Sequence, residues 1–393
     1  MDSCSRMRPA KWLHNADSPV MLMVDDFTNV WVDANGNGRV DLEEDWGHAL
    51  DAPGSAFEFL RDKVLADCPR ARVTFFTPMA RAPFARTSKC PAHFGPINED
   101  ERTAAFFRAV HRDPRFEVAY HGLTHGVPGN RTEDFVQEWV AYNSLEEALE
   151  TIKKGKKIYF EVFGEEPAGG KYCGYERNSF SDESIDRSGF LWWCRRWDRG
   201  EAAPREVERF DVRRFGQHRV LDIPSTVFGA MFNRPRGLVG RVLGGKAALR
   251  RGVDELDHLL RHRLVVSIQE HISPARPDGR RQTPNIFDDR ESLKLIFDYL
   301  ADKNVWYCTG TELAEYVYCR DNVRLVQNEQ GFTLGLPAGR DIKRRLVSVV
   351  ADREHVKQIV TPAGESVSGR DGAFTVPVQE GQYLLVREPA GAG

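Results

Sequence analysis

Three apolar runs, each ending on side chains that bind metals or move protons, constrain this chain more than any other feature. Val20-Met21-Leu22-Met23-Val24 ends at Asp25-Asp26. Phe116 to Tyr120 ends at His121-Gly122-Leu123-Thr124-His125, and Val265-Val266-Ser267-Ile268-Gln269-Glu270 ends at His271. Nearly continuous apolar runs suit strands buried on both faces, as in a parallel sheet covered by helices. Packing gives no reason for acids and imidazoles to recur at the same end of each run. In a barrel of parallel strands, the C-terminal strand ends meet at one rim, where active sites sit. One Asp and two His form a good set of zinc ligands with a position left for water. The four-residue spacing of His121 and His125 lets both imidazoles converge on one ion.

The flanking pattern agrees with an α/β architecture. From residue 20 to about 318, strand-like and helix-like segments alternate. Val73 to Thr77 is a predicted strand. Ser55 is a predicted cap for a helix burying Phe57, Leu60 and Val64. Asn98 with Glu101, and Ser144 with Glu147, are predicted to open helices through capping boxes. Further strands are expected at Lys171 to Cys173, Phe190 to Cys194, Val220 to Ile223, Leu264 to Ile272 and Val305 to Thr309. Helices are expected at Ala247 to His262 and Asp289 to Ala301. The count implies a (β/α) barrel of seven or eight strands, incomplete because residues 200–245 are rich in Arg, Pro and Gly and show no clear repeat. After Arg320, short runs such as Leu346 to Val350 and Tyr383 to Val386 alternate with turn residues and no helical pattern intervenes. The expected organisation is a barrel over residues 1–320 and a small antiparallel, sandwich-like β domain over 321–393.

Composition narrows the class. The 393 residues are 41% hydrophobic and 29% charged, which suits a globular protein with a real core. A net charge of −3 gives no electrostatic case for a nucleic-acid or membrane partner. No stretch is apolar for long enough to span a bilayer, and the first fifteen residues have no signal-like apolar core. The seven cysteines form no CxxC pair and are odd in number, which favours reduced thiols and a cytoplasmic location. Nothing in the sequence assigns an oligomeric state.

Together the strand ends resemble the polysaccharide deacetylases, the NodB-like carbohydrate esterases of family 4. The resemblance spans roughly residues 18 to 320 in strand order. It implies Asp25 as catalytic base and Asp26, His121 and His125 as ligands of Zn2+ or another divalent transition metal. It further implies His271 as the general acid that protonates the leaving group. The chain departs from the family at several places. Gly122 stands where a hydroxyl side chain is expected, so support for the His121 loop must come from elsewhere, with Thr124 as candidate. Gly169-Gly170-Lys171-Tyr172-Cys173-Gly174-Tyr175 lacks the Arg and Pro of the third motif. There Lys171 is the candidate charge and the Tyr175 backbone N–H the candidate oxyanion donor. Trp192 to Asp198 keeps aromatics, Trp197 among them, but loses the acidic position. Glu270 and Asp222 are then the candidates for an acid that orients the catalytic His.

The implied activity is removal of acetyl groups, N-acetyl foremost, from a sugar or polysaccharide. Two other classes stay open: hydrolysis of a non-sugar amide or imide on the same scaffold, and a non-catalytic carbohydrate-binding protein. Each motif alone has a plain structural alternative. An Asp-Asp pair is usually a solvated turn, and a lone His usually packs in a core or on a surface; only their conjunction on ordered strand ends argues for chemistry. A second ion is also a candidate. Asp33, Asn35, Asn37, Arg39 (through its carbonyl), Asp41 and Glu44 match an EF-hand-like calcium loop, with Gly38 at the turn. The alternative there is an Asn-Gly hairpin tip without Ca2+.

Overall fold

The computed structural model describes residues 7–28, 51, 54–81, 95–130, 134–196, 210–233, 245–274, 281–337, 339–351 and 356–387. The calcium-loop positions 33–44 and Trp197 lie outside the described residues. Contacts divide the chain into two compact units. One is Val20–Lys303 with Tyr307–Thr311; the other is Met1–Pro19, Asn304–Trp306 and Glu312–Gly393.

The larger unit is built on a sheet whose path holds nine strands. Its strands carrying the site are β1 (Ser18–Asp25), β2 (Val73–Thr77), β3 (Phe116–Tyr120), β4 (Gly169–Lys171) and β5 (Trp192–Cys194). They are followed by β6 (Val220–Asp222), β7 (Val227–Phe228) and β8 (Val266–His271). The path runs Arg213–Phe215, β6, β5, β4, β3, β2, β1, β8, β7. Every pairing from β6 to β7 along this path is parallel; Arg213–Phe215 adds an antiparallel edge. β6 and β7 are two ends of one extended segment. Ile223 N donates to Trp193 O on β5 at 3.0 Å, and Thr226 N donates to Ser267 O on β8 at 3.1 Å. The same segment therefore neighbours β5 before its break and β8 after it. The expected incomplete barrel thus appears as a curled sheet with one interrupted stave, placed within the stretch whose sequence showed no repeat.

Helices form where amphipathic periodicity and caps coincide. Ser144 accepts from Glu147 N at 3.1 Å and opens Leu145–Phe163, which ends at Gly164 in a left-handed C-cap. Ser55 likewise accepts from Glu58 N. The capping residue of Glu101–Arg112 is Asp100, not Asn98: its carboxylate accepts from Thr103 N at 2.8 Å. Helices Gly245–Arg261 and Arg290–Leu300 stand close to the expected ranges. Outside the curl, Phe27, Phe57, Phe75, Phe106, Phe107 and Phe116 form one aromatic cluster, with Phe27 stacked on Phe75 at 4.2 Å between centroids. Phe27 directly follows the Asp pair, so this stack anchors the end of β1.

The smaller unit carries two antiparallel sheets. One is Met7–Pro9, Leu346–Ala351 and Ala373–Pro377; the other has five strands between Arg324 and Arg387. Side chains from both sheets, including Val347, Val349, Phe374, Phe332, Ile359 and Tyr383, share one core. Met7–Pro9 pairs with Leu346–Ala351, which draws the N-terminal strand into this unit and not into the barrel expected over residues 1–320. Among the described residues no helix is long and apolar enough to cross a membrane.

Candidate metal centre

Strand register brings the predicted residues to one rim. Asp25 lies opposite His271 on β8 and Phe76 on β2. Thr77 lies opposite Tyr120, and Tyr120 opposite Gly170. His121 N continues the ladder by donating to Thr77 O at 3.0 Å. Asp25, His121, Lys171 and His271 therefore leave their strands at nearly one level.

Consecutive residues of a regular strand point to opposite faces. Asp26 escapes this rule because its φ is +67°, a left-handed conformation that Asp tolerates better than most residues. The break lets neighbouring carboxylates serve one site. Asp26 Oδ1 lies 3.2 Å from His125 Nε2 and 3.9 Å from His121 Nε2, and all three side chains are buried. His125 also has a positive φ, +69°.

His121 has the stronger claim to a ligand role. Its Nδ1 lies 3.0 Å from Lys171 O. A carbonyl only accepts, so Nδ1 carries the proton and Nε2 presents its lone pair to the site. Burial pushes His121 down to about 3, which keeps the ring neutral. His121 Nε2 is fully buried and has no hydrogen-bond partner among the described residues. A buried acceptor without a partner costs about 1–3 kcal/mol. A divalent cation would meet that lone pair, and one carboxylate with two imidazoles is a donor set such an ion accepts. The residues present fit the implied metal.

Asp25 is held differently. Lys171 Nζ donates to both its oxygens, at 2.9 and 2.7 Å, and also to Gln269 Oε1. Lys171 and Gln269 are fully buried and Asp25 nearly so. The ammonium sits over the rings of Tyr175 (4.3 Å) and Phe76 (5.0 Å). Its three donors are thus all used.

The loop between His121 and His125 is supported by a carboxyl group from sixteen residues beyond Gly122. Glu138, nearly fully buried, accepts from Leu123 N at 2.9 Å through Oε1 and from Thr124 N at 2.8 Å through Oε2. Tyr142 OH donates to Oε1 at 2.6 Å. Burial pushes the Glu138 carboxyl up, and these donors pull it back. Gly122 has φ +83°, and a Cβ there would lie 2.6 Å from Glu138 Oε2. The glycine makes room for this support. The hydroxyl of Thr124, the candidate support, bonds within its own turn, donating from Oγ1 to Gly126 O at 3.1 Å.

Three candidate roles are corrected by the structure. The Tyr175 N–H donates to Tyr172 O at 3.1 Å inside a tight turn, so it offers no oxyanion donor. The Tyr175 hydroxyl instead donates to Gln269 Oε1 at 2.8 Å and contacts Ser225 Oγ at 2.7 Å. Glu270 does not orient a catalytic His. Strand alternation puts it on the face opposite Gln269 and His271, where its Oε1 fills the space a Cβ on Gly229 would need. Neither of its oxygens has a hydrogen-bond partner, and burial, with Asp289 and Asp288 adding repulsion, pushes it well above the carboxylate range. Asp222 is taken by Arg195, whose Nη2 lies 3.1 Å from its Oδ2. The group that orients His271 is a carbonyl: Nδ1 lies 2.7 Å from Pro284 O. His271 stands beside Asp25 across the strand pair, and Ile272 N donates to Asp25 O at 3.0 Å.

One site residue had no sequence signal. Cys173, fully buried, offers a sulfur within 4.8 Å of a ligand nitrogen from each of His121 and His125. Lacking a CxxC spacing, it looked like any core thiol.

No protein-family model matches the chain, and no curated protein sequence does. Solved structures similar to it include one assigned as a polysaccharide deacetylase from Mycobacterium smegmatis, 15% identical, with a TM-score of 0.44 over 82% of this chain and 98% of that one. The allantoinase PuuE is 15% identical, with a TM-score of 0.45 over 77% and 91%. A CE4 family pseudoenzyme from Bacillus anthracis is 12% identical, with a TM-score of 0.35 over 76% and 66%. At these values the likeness assigns no role to any residue.

Proposed function

We propose that this chain is a metal-dependent hydrolase that removes acetyl groups, N-acetyl foremost, from a sugar or polysaccharide. The observation that carries the reading is the placement, at one rim, of a buried Asp26–His121–His125 donor set beside a carboxylate gripped by a buried lysine. Asp26, His121 and His125 would hold a divalent ion of the zinc type. Such an ion, when bound, supplies Lewis-acid polarisation of the acyl oxygen and makes water a better nucleophile at neutral pH.

The chain's own residues do the rest. Asp25 accepts the proton of the attacking water, and Lys171 fixes both carboxylate oxygens in place for that transfer. Gln269 Oε1 accepts from both Lys171 Nζ and the Tyr175 hydroxyl, which ties the lysine in place. His271, with Nδ1–H committed to Pro284 O, has only Nε2 left to carry a proton to the departing amine.

The test is acetate release from a panel of acetylated sugars by chelated protein resupplied with zinc, cobalt or nickel. Turnover restored by metal, and lost in Asp25→Asn with metal content unchanged, is the expected result. Wild-type protein that binds no divalent metal, or an Asp25→Asn variant of full activity, would overturn the reading.

A further inference from the structure

We propose that Cys173 is a fourth protein ligand, so that this centre is sulfur-bearing: one carboxylate, two imidazoles and one thiolate. This rests on the reading of Asp26, His121 and His125 as metal ligands and extends it.

Two independent observations meet here. First, the Cys173 sulfur and one ligand nitrogen each of His121 and His125 lie within 4.8 Å of one another, all buried. Donors held about 2.0–2.3 Å from a single tetrahedral ion stand about 3.3–3.8 Å apart, so loading would draw these three atoms together by about 1 Å. Second, His121 Nε2 is buried without a hydrogen-bond partner among the described residues, 3.9 Å from Asp26 Oδ1, so a donor atom of this cluster still lacks an acceptor of its lone pair.

The local backbone explains why the thiol is there. Cys173–Tyr175 form a tight turn directly after β4, with Gly174 and Tyr175 both at φ +58°. Cys173 Sγ donates to His121 O at 3.2 Å, which seats the sulfur against the His121 loop. The end of β4 thus serves the rim three times: Lys171 Nζ grips Asp25, Lys171 O orients His121, and Cys173 offers sulfur. On loading, the thiol proton passes to solvent and the sulfur–metal bond replaces the weak bond to His121 O. A thiolate donor favours zinc or cobalt over magnesium, calcium or manganese, which prefer all-oxygen sites. Cys173 would then take the position that a three-ligand site leaves to water, and a water would have to join as a fifth donor.

Cobalt(II) titration of the chelated full chain tests this without reference to turnover. The wild type should bind one cobalt with a near-ultraviolet thiolate-to-cobalt charge-transfer band. Cys173→Ser should keep the visible cobalt bands, lose the near-ultraviolet band and bind about 10-fold more weakly or worse, since removing even an outer supporting partner costs that much. It should also release one proton fewer on loading. Cys308→Ser, a buried thiol elsewhere, should leave the band in place. The band is read in the wild type, so the test survives a variant that fails to fold. Stoichiometric cobalt with no such band overturns the sulfur ligand and leaves the three-ligand reading standing. No cobalt bound by the wild type overturns both.

Discussion

Asp25 and Glu270 lie one register step apart on the paired strands β1 and β8, and both are buried, yet they have opposite fates. Asp25 faces the site, where Lys171 donates to both its oxygens. Glu270 faces away, with no cation beside it and no hydrogen-bond partner among the described residues, and is pushed well above the carboxylate range by burial. The buried charge on one side is matched, while on the other the proton is retained. Burying an unpaired ion costs more than keeping a carboxyl protonated, so each face has taken the cheaper course open to it. A paired carboxylate next to metal ligands is where proton transfer is expected; an unpaired neutral carboxyl is a stability matter.

The sharpest way to break this contrast is to make the Asp25 side resemble the Glu270 side. Lys171→Met leaves a buried carboxylate without its cation and should cost about 3–5 kcal/mol of stability. Urea denaturation of the metal-free protein measures it; a loss under about 1 kcal/mol would show that Lys171 does not hold Asp25 as described.

Next in size is the loop support. Each Glu138 oxygen takes a backbone donor, so Glu138→Gln turns an amide NH2 toward an N–H. A stability loss of about 1–3 kcal/mol is expected, with metal affinity lowered about 10- to 100-fold. Competition with a chelator of known affinity reads the second effect, and unchanged affinity would mean that the His121 loop supports itself.

Gly122→Ser restores the residue type the family resemblance expects but should destabilise by about 1–2 kcal/mol, because φ is +83° and Cβ meets Glu138. In the Gly122→Ser/Glu138→Ala pair the collision is gone and only the backbone strain remains. The Ser should therefore cost less in the Glu138→Ala background than alone, and equal costs would remove the steric argument.

The smallest effect carries a pH signature. The folded-state pKa of Glu270 is raised above its ordinary value of 4.5, so folding takes up a proton above that pH. The unfolded chain then binds fewer protons than the native one, and stability falls as pH rises from about 4.5 toward the native pKa. Glu270→Gln removes this term. The variant should gain on the wild type progressively as pH rises and show no gain below about 4.5 that depends on pH. Parallel stability–pH curves for the two proteins would show that Glu270 does not titrate in this way.

The strand ends were readable because their signals are local. A continuous apolar run closing on Asp25-Asp26, or the four-residue spacing of His121 and His125, needs no knowledge of distant neighbours. The outward direction of Glu270 was also readable in principle: strand alternation forbids it from sharing a face with His271. Lys171 was placed as a charge near the site, but its grip on Asp25 spans residues 146 apart in sequence.

By itself, then, the sequence determined the alternating α/β framework, the strand-end chemistry and the β-rich texture after Arg320, since each follows from periodicity and turn composition within a few residues. Only the tertiary structure decided that Glu138 holds the His121 loop, that the Tyr175 N–H is spent in its own turn, that Arg195 claims Asp222 and that Cys173 lies beside the two His. These are outcomes of which strand ends and loops meet in space. A carboxyl group, a thiol or an N–H has a role only once its partner is within hydrogen-bond or ligand distance, and no local pattern records that meeting.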